Sequence, residues 1–119
     1  MAIEDVKQEE VPDSIRQPLE DAKAKHEDVY MLKDPDSGVT VICKRPSRAI
    51  YRKLREDQNG PPERSAHRFE ALLNGCLVFP SPKEFDVLLN TMPWLGDAFG
   101  VKLVDTLMGE SAIDMKRAG

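Results

Sequence analysis

The side chains with the widest chemical reach are scarce in this chain: two histidines, His26 and His67, and two cysteines, Cys43 and Cys76, in 119 residues. A histidine held beside a cysteine can take the thiol proton and make a nucleophile. His26 stands among acids, ahead of the first apolar run. His67 falls on the polar side of a helical pattern, away from Phe69 and Leu73. A dyad of His67 with Cys43 or Cys76 is the pairing that remains, and the apolar neighbours Val41-Ile42 and Leu77-Val78 favour reduced core thiols over both a nucleophile and a disulfide. Metal chemistry needs clustered ligands, and the sequence has no CxxC, no HxxxH and no acidic calcium-type loop. Its glycines form neither GxGxxG nor GxxxxGK[ST], the patterns that cradle phosphates. The expectation is a protein without catalytic chemistry, cofactor or metal.

One stretch remains that can do binding chemistry. Arg45 to Asp57, RPSRAIYRKLRED, carries five basic residues against two acids in a chain of net charge −4. Lys44, Arg45, Arg48, Arg52 and Arg55 could neutralise several phosphates, which is how nucleic acid is gripped. Against that stand the adjacent acids Glu56 and Asp57, and Tyr51 is the stretch's one aromatic. Arginine bordering an apolar face is also what protein interfaces favour, because a guanidinium stacks and makes forked hydrogen bonds. A solvated helix edge is the plainest of the three readings.

The elements that would position these arginines follow from composition and pattern. The length suits one domain with a modest core, with 40% hydrophobic and 32% charged residues. No apolar run approaches the ~20 residues of a membrane span, and the start, MAIEDVKQEE, lacks the pattern of a signal peptide. The expected location is therefore the cytoplasm. Residues 1–13 hold Glu4, Asp5, Glu9, Glu10 and Asp13 against Lys7, which accounts for the whole negative excess. Residues 1–25 are expected to be an acidic, largely disordered tail, with at most a short helix on Ile15, Leu19 and Ala22 because Pro18 interrupts.

Residues 26–109 are expected to form a single α+β domain: a β-hairpin packed on a mainly helical bundle of about four helices. Val29–Leu32 and Val39–Cys43 are β-branched and apolar, joined by a turn with Pro35 and Gly38. Ser47 is a good N-cap for a helix from about Arg48 to Asp57, with Ile50, Tyr51 and Leu54 on one face and Arg48, Arg52 and Arg55 on a neighbouring stripe. A second helix is expected from about Glu63 to Asn74, followed by an apolar run, Cys76 to Phe79, of undecided form. Ser81-Pro82-Lys83-Glu84 has the serine, proline and glutamate of a capping box, so a third helix starts there with Phe85, Leu88, Leu89 and Met92 as its apolar face.

The last helix, about Trp94 to Met108 with Gly109 as its stop, is apolar on two sides. Leu95, Phe99, Leu103 and Leu107 form one stripe, and Val101, Val104 and Met108 a second. A helix of this kind is fully buried or presents one side to a partner. The candidate partner-binding residues are accordingly Val101, Val104 and Met108, with Arg48, Arg52 and Arg55 beside them. Residues 110–119 are expected to be a flexible tail.

The hairpin ending ICKRPSRAIYRKLRED, followed by RFEALLNGCLVFPSPKEFDVLLNTMPWLGDAFGVKLVDTLMG, resembles the small tail assembly chaperones of long-tailed bacteriophages and phage-like elements. There a strand runs into an Arg-Pro-(Ser/Thr)-Arg-Ala helix start, and a segment similar to CLVFPSPKEFDVLLNTMP leads to a final helix. The resemblance spans roughly residues 28–109. It implies a protein that binds the tape-measure protein in the host cytoplasm and keeps it soluble until tail-tube subunits replace it. Such families also make a frameshifted longer form, to which the chain ending at Gly119 would be the shorter partner. The residues themselves leave open a homo-oligomer, a nucleic-acid-binding regulator using Lys44 to Arg55, or a structural tail or neck subunit.

Overall fold

Alternation of apolar residues along two neighbouring strands builds the centre of the molecule. The structure, a computed structural model, describes residues 3–6 and 11–118, with side chains described as far as Met108. Among the described residues it is α+β: a four-stranded antiparallel sheet in the order β1 (Glu4–Asp5), β2 (Val29–Lys33), β3 (Thr40–Lys44) and β4 (Leu77–Phe79), with six helices. Strands β2 and β3 are the expected hairpin, in the register Met31 to Ile42 and Leu32 to Val41. Their connection closes on Asp34, whose buried carboxylate accepts a hydrogen bond from the Ser37 hydroxyl at 2.7 Å. Gly38 supplies the left-handed residue, φ 78°, that this turn requires.

Because side chains alternate along a strand, the two sheet faces collect different cores. Leu32, Val41 and Cys43 join Leu54, Leu72, Leu73, Cys76, Leu77, Phe85, Leu95, Phe99 and Leu103 in the larger one. Met31 and Ile42 turn the other way, onto Ile15, Leu19 and Ala22. Helices therefore lie on both faces of the sheet. On the larger side Phe85 and Phe99 meet edge to face, with ring centroids 6.3 Å apart.

The second face is where the structure departs most from the sequence reading. Residues 13–25, expected within a largely disordered tail, form α1 (Asp13–Lys25) and pack on the sheet. Pro18 sits inside this helix. Its cost of ~3 kcal/mol is offset by burying Ile15 and Leu19, each worth ~1.5–3 kcal/mol, together with Ala22. Residues 4–5 are likewise a strand: Glu4 and Asp5 pair with Lys33 and Leu32, and the Val6 amide donates to the Met31 carbonyl at 2.9 Å. The rest of the expected tail, residues 1–2 and 7–10, lies outside the described residues.

Local signals hold elsewhere. Helix α2 (Arg48–Gln58) starts where Ser47 Oγ accepts from the Ile50 amide at 3.2 Å. Helix α5 (Pro82–Thr91) starts where Ser81 Oγ accepts from the Glu84 amide at 3.2 Å. The Ser81 hydroxyl in turn donates to the Glu84 carboxylate at 3.0 Å. The second expected helix is two pieces, α3 (Pro62–Ala66) and α4 (Arg68–Cys76), separated at His67. The apolar run after it is strand β4, whose register slips between Ile42 and Cys43 of β3. That irregularity lets Leu77 join the larger core while Val78 and Phe79 pack on the α1 side. Pro80 follows through a cis peptide bond.

The last helix, α6, runs from Leu95 to Ala118. It passes through Gly109 rather than ending there, so residues 110–118, expected as a flexible tail, are helical in backbone. A glycine within a helix costs only ~1 kcal/mol and stops one only when the following chain favours it. Among the described residues no helix is long and apolar enough to cross a membrane.

Candidate functional site

Helix α6 is held against α4 by glycine. An added Cβ at Gly100 would stand 2.7 Å from the Phe69 carbonyl carbon and closer still to its oxygen, and one at Gly96 would stand 2.8 Å from Glu70 Cγ. This close approach presses the stripe Leu95, Phe99 and Leu103 fully into the core. It leaves the second stripe outward: Val101 is 40% exposed and Met108 57%, while Val104 is half-buried and packs on the core.

The sequence placed Val101, Val104 and Met108 in one surface, and the structure divides them. Val104 and Met108 line a groove of about 390 Å³ between α2, α4 and α6, with Tyr51, Arg55, Arg68 and Phe69. A smaller apolar recess of about 100 Å³ continues it between Tyr51, Leu72, Val104, Leu107 and Met108. Val101 lies about 60° around the helix from Val104, which carries it to a separate depression with Ile3, Asp97, Lys102 and Asp105. The edge strand β1 borders that depression, tied down by Asp5, which pairs with Lys102 at 3.5 Å and accepts from the Thr106 hydroxyl at 3.3 Å.

On α2 the buried face is Leu54 and Asp57, with Ile50 half-buried. Tyr51, read from the sequence as part of that face, is 39% exposed and forms a wall of the groove. Arg55, one turn on, joins it there. Arg48 lies about 60° and Arg52 about 100° further round from Tyr51, so both are exposed beyond the groove and neither lines it. None of these three arginines is in an ion pair with a described residue, whereas Arg45 pairs with Asp28 at 3.4 Å. Arg68 and Phe69 were missed as groove residues. Arg68 stacks its guanidinium 4.5 Å from the Phe69 ring centroid and donates to the Ser65 carbonyl at 2.5 Å. The adjacent Arg68-Phe69 pair in the sequence was the signal that could have found them.

Asp57 is the buried acid of this region. Lys53 donates to its carboxylate at 3.0 Å and Arg64 approaches to 4.0 Å, so it ties α2 to α3. Among the described residues the groove itself is lined by two arginines and no acid.

The candidate nucleophiles occupy unlike environments. Cys43 and Cys76 are free, fully buried thiols. Burial pushes Cys76 up to about 11, with the nearby Lys44 charge pulling weakly the other way. Cys43 is raised further, by burial first and by Cys76 second. His67 is exposed, 3.8 Å from Glu70. A thiol so disfavoured from ionising is a core side chain. Among the described residues no group of three or more His, Cys, Asp or Glu side chains is gathered in metal-binding geometry.

Compared with known protein families, curated proteins and solved structures, the chain matches none.

Proposed function

We propose that this chain is a tail assembly chaperone of the phage type, acting without catalysis in the host cytoplasm. It would bind helical segments of the tape-measure protein until tail-tube subunits displace it. The observation that carries the reading is the groove at α6. Tyr51, Phe69, Val104 and Met108 give this shallow channel an apolar strip edged by Arg55, Gln58, Asn59 and Arg68, and the accessible Met108 side chain repacks readily around unlike partners. The sequence resemblance over residues 28–109 supplies the client.

Co-expression with a long helical tape-measure protein tests it. The expected outcome is co-purification and a rise in that protein's solubility, both lost with Met108→Asp. The protein's retention in purified particles would instead make it a structural subunit. A second reading rests on Arg48, Arg52 and Arg55, exposed and without ion pairs among the described residues. Binding to generic duplex DNA that weakens steeply with salt would establish a nucleic-acid role.

A further inference from the structure

We infer that the groove between α2 and α6 selects an amphipathic helix whose apolar ridge is flanked by carboxylates; this rests on the chaperone reading for the client but on the groove's own chemistry for the selection. The floor, formed by Leu72, Val104 and Leu107, is apolar and its recess of about 100 Å³ takes one aliphatic side chain. The lips are cationic. Arg55 rises from α2 and Arg68 from α4.

The neighbouring depression on α6 has the opposite character, with Asp97 and Asp105 against Lys102 among its described residues. A helix lying in the groove therefore meets positive charge on one flank and is steered off the neighbouring site by negative charge. Arg55 has no carboxylate of its own chain among the described residues, so a partner's Glu or Asp would meet it without displacing an existing ion pair. A forked guanidinium–carboxylate contact at the edge of an apolar recess is the geometry in which such a pair contributes most to choice of partner.

The test uses the full chain and two synthetic amphipathic helices of about five turns. Both carry one Leu/Met ridge, flanked by Glu in the first and by Lys in the second. Fluorescence anisotropy is expected to show the Glu helix binding about tenfold more tightly at low salt, the gap closing as salt is raised. Arg55→Glu reverses the preference and Met108→Asp weakens both helices, with circular dichroism unchanged in each. Equal binding of the two helices, absence of binding to either, or indifference to Arg55→Glu overturns the inference. So does a concentration-dependent dimer that Met108→Asp dissolves while helix binding is untouched, since the groove then belongs to a second copy of the chain. Capture of the long client without charge preference would sink the selection and leave the chaperone reading standing. Charge-selective helix binding with no capture of that client would do the reverse.

Discussion

Gly100 of α6 lies directly against the Phe69 backbone of α4, too close for a Cβ. This contact sets how deep α6 sits, and with it which residues remain to form the groove. Because Phe69 is itself a groove wall, the core contact and the surface share one element.

Gly100→Ala is therefore expected to destabilise the fold by ~1–3 kcal/mol, despite the ~1 kcal/mol that alanine gains in helix propensity. The obstacle is backbone, which cannot rotate away. Gly75→Ala is the control, since its Cβ would meet only Ile50 side-chain atoms at 3.4–3.6 Å. It should be neutral or stabilise by up to ~1 kcal/mol. Urea unfolding midpoints of the two variants separate these outcomes, and equal shifts would refute the glycine contact.

The two apolar members of the groove should respond differently to charge. Met108→Asp places a carboxylate on a side chain 57% exposed and is expected to change stability by less than ~0.5 kcal/mol. Val104→Asp puts one against the core and should cost ~1–3 kcal/mol. Thermal melts decide; a collapse of Met108→Asp would mean that residue is core.

Asp57 is buried while its closer partner, Lys53, is 63% exposed. Asp57→Ala is expected to cost ~1–3 kcal/mol, because the Lys53 ammonium and the α2–α3 tie lose their anchor. Lys53→Ala should cost at least as much, since it leaves a carboxylate only 5% exposed with Arg64 at 4.0 Å as its remaining ion-pair partner. Chemical denaturation of both checks this, and a negligible loss from Lys53→Ala would contradict it.

The raised thiols predict a pH dependence with a definite sign. Below pH 9.0 the Cys76 thiol is protonated in folded and unfolded chains alike, and its contribution is constant. Between 9.0 and about 11 the unfolded chain gives up that proton while the folded chain holds it, so stability falls as pH rises. Cys43 shifts in the same direction. The slope of unfolding midpoint against pH should flatten in Cys76→Ala, and a slope unchanged by that substitution would show that other groups cause the fall. Alkylation of both thiols should be slow in the folded protein and rapid in urea.

The sequence by itself determined what is local. Ser47 and Ser81 cap helices because a hydroxyl reaches an amide three residues on, whatever surrounds it. The β2–β3 alternation and Gly38 specify a hairpin over a few residues, and the two apolar stripes of α6 are visible in its spacing. Tertiary structure decided which stripe is buried, because that depends on Gly96 and Gly100 finding α4, a contact between distant segments that no short pattern encodes. It made residues 13–25 a packed helix despite Pro18, since only the far face of the sheet supplies the burial that outweighs the proline. It turned Leu77–Phe79 into an edge strand by pairing with β3. It also parted Val101 from Val104 and Met108, and brought Arg55 rather than Arg48 or Arg52 to the groove. Helical spacing places residues around an axis; only the neighbouring helix decides on which side of the contact each one falls.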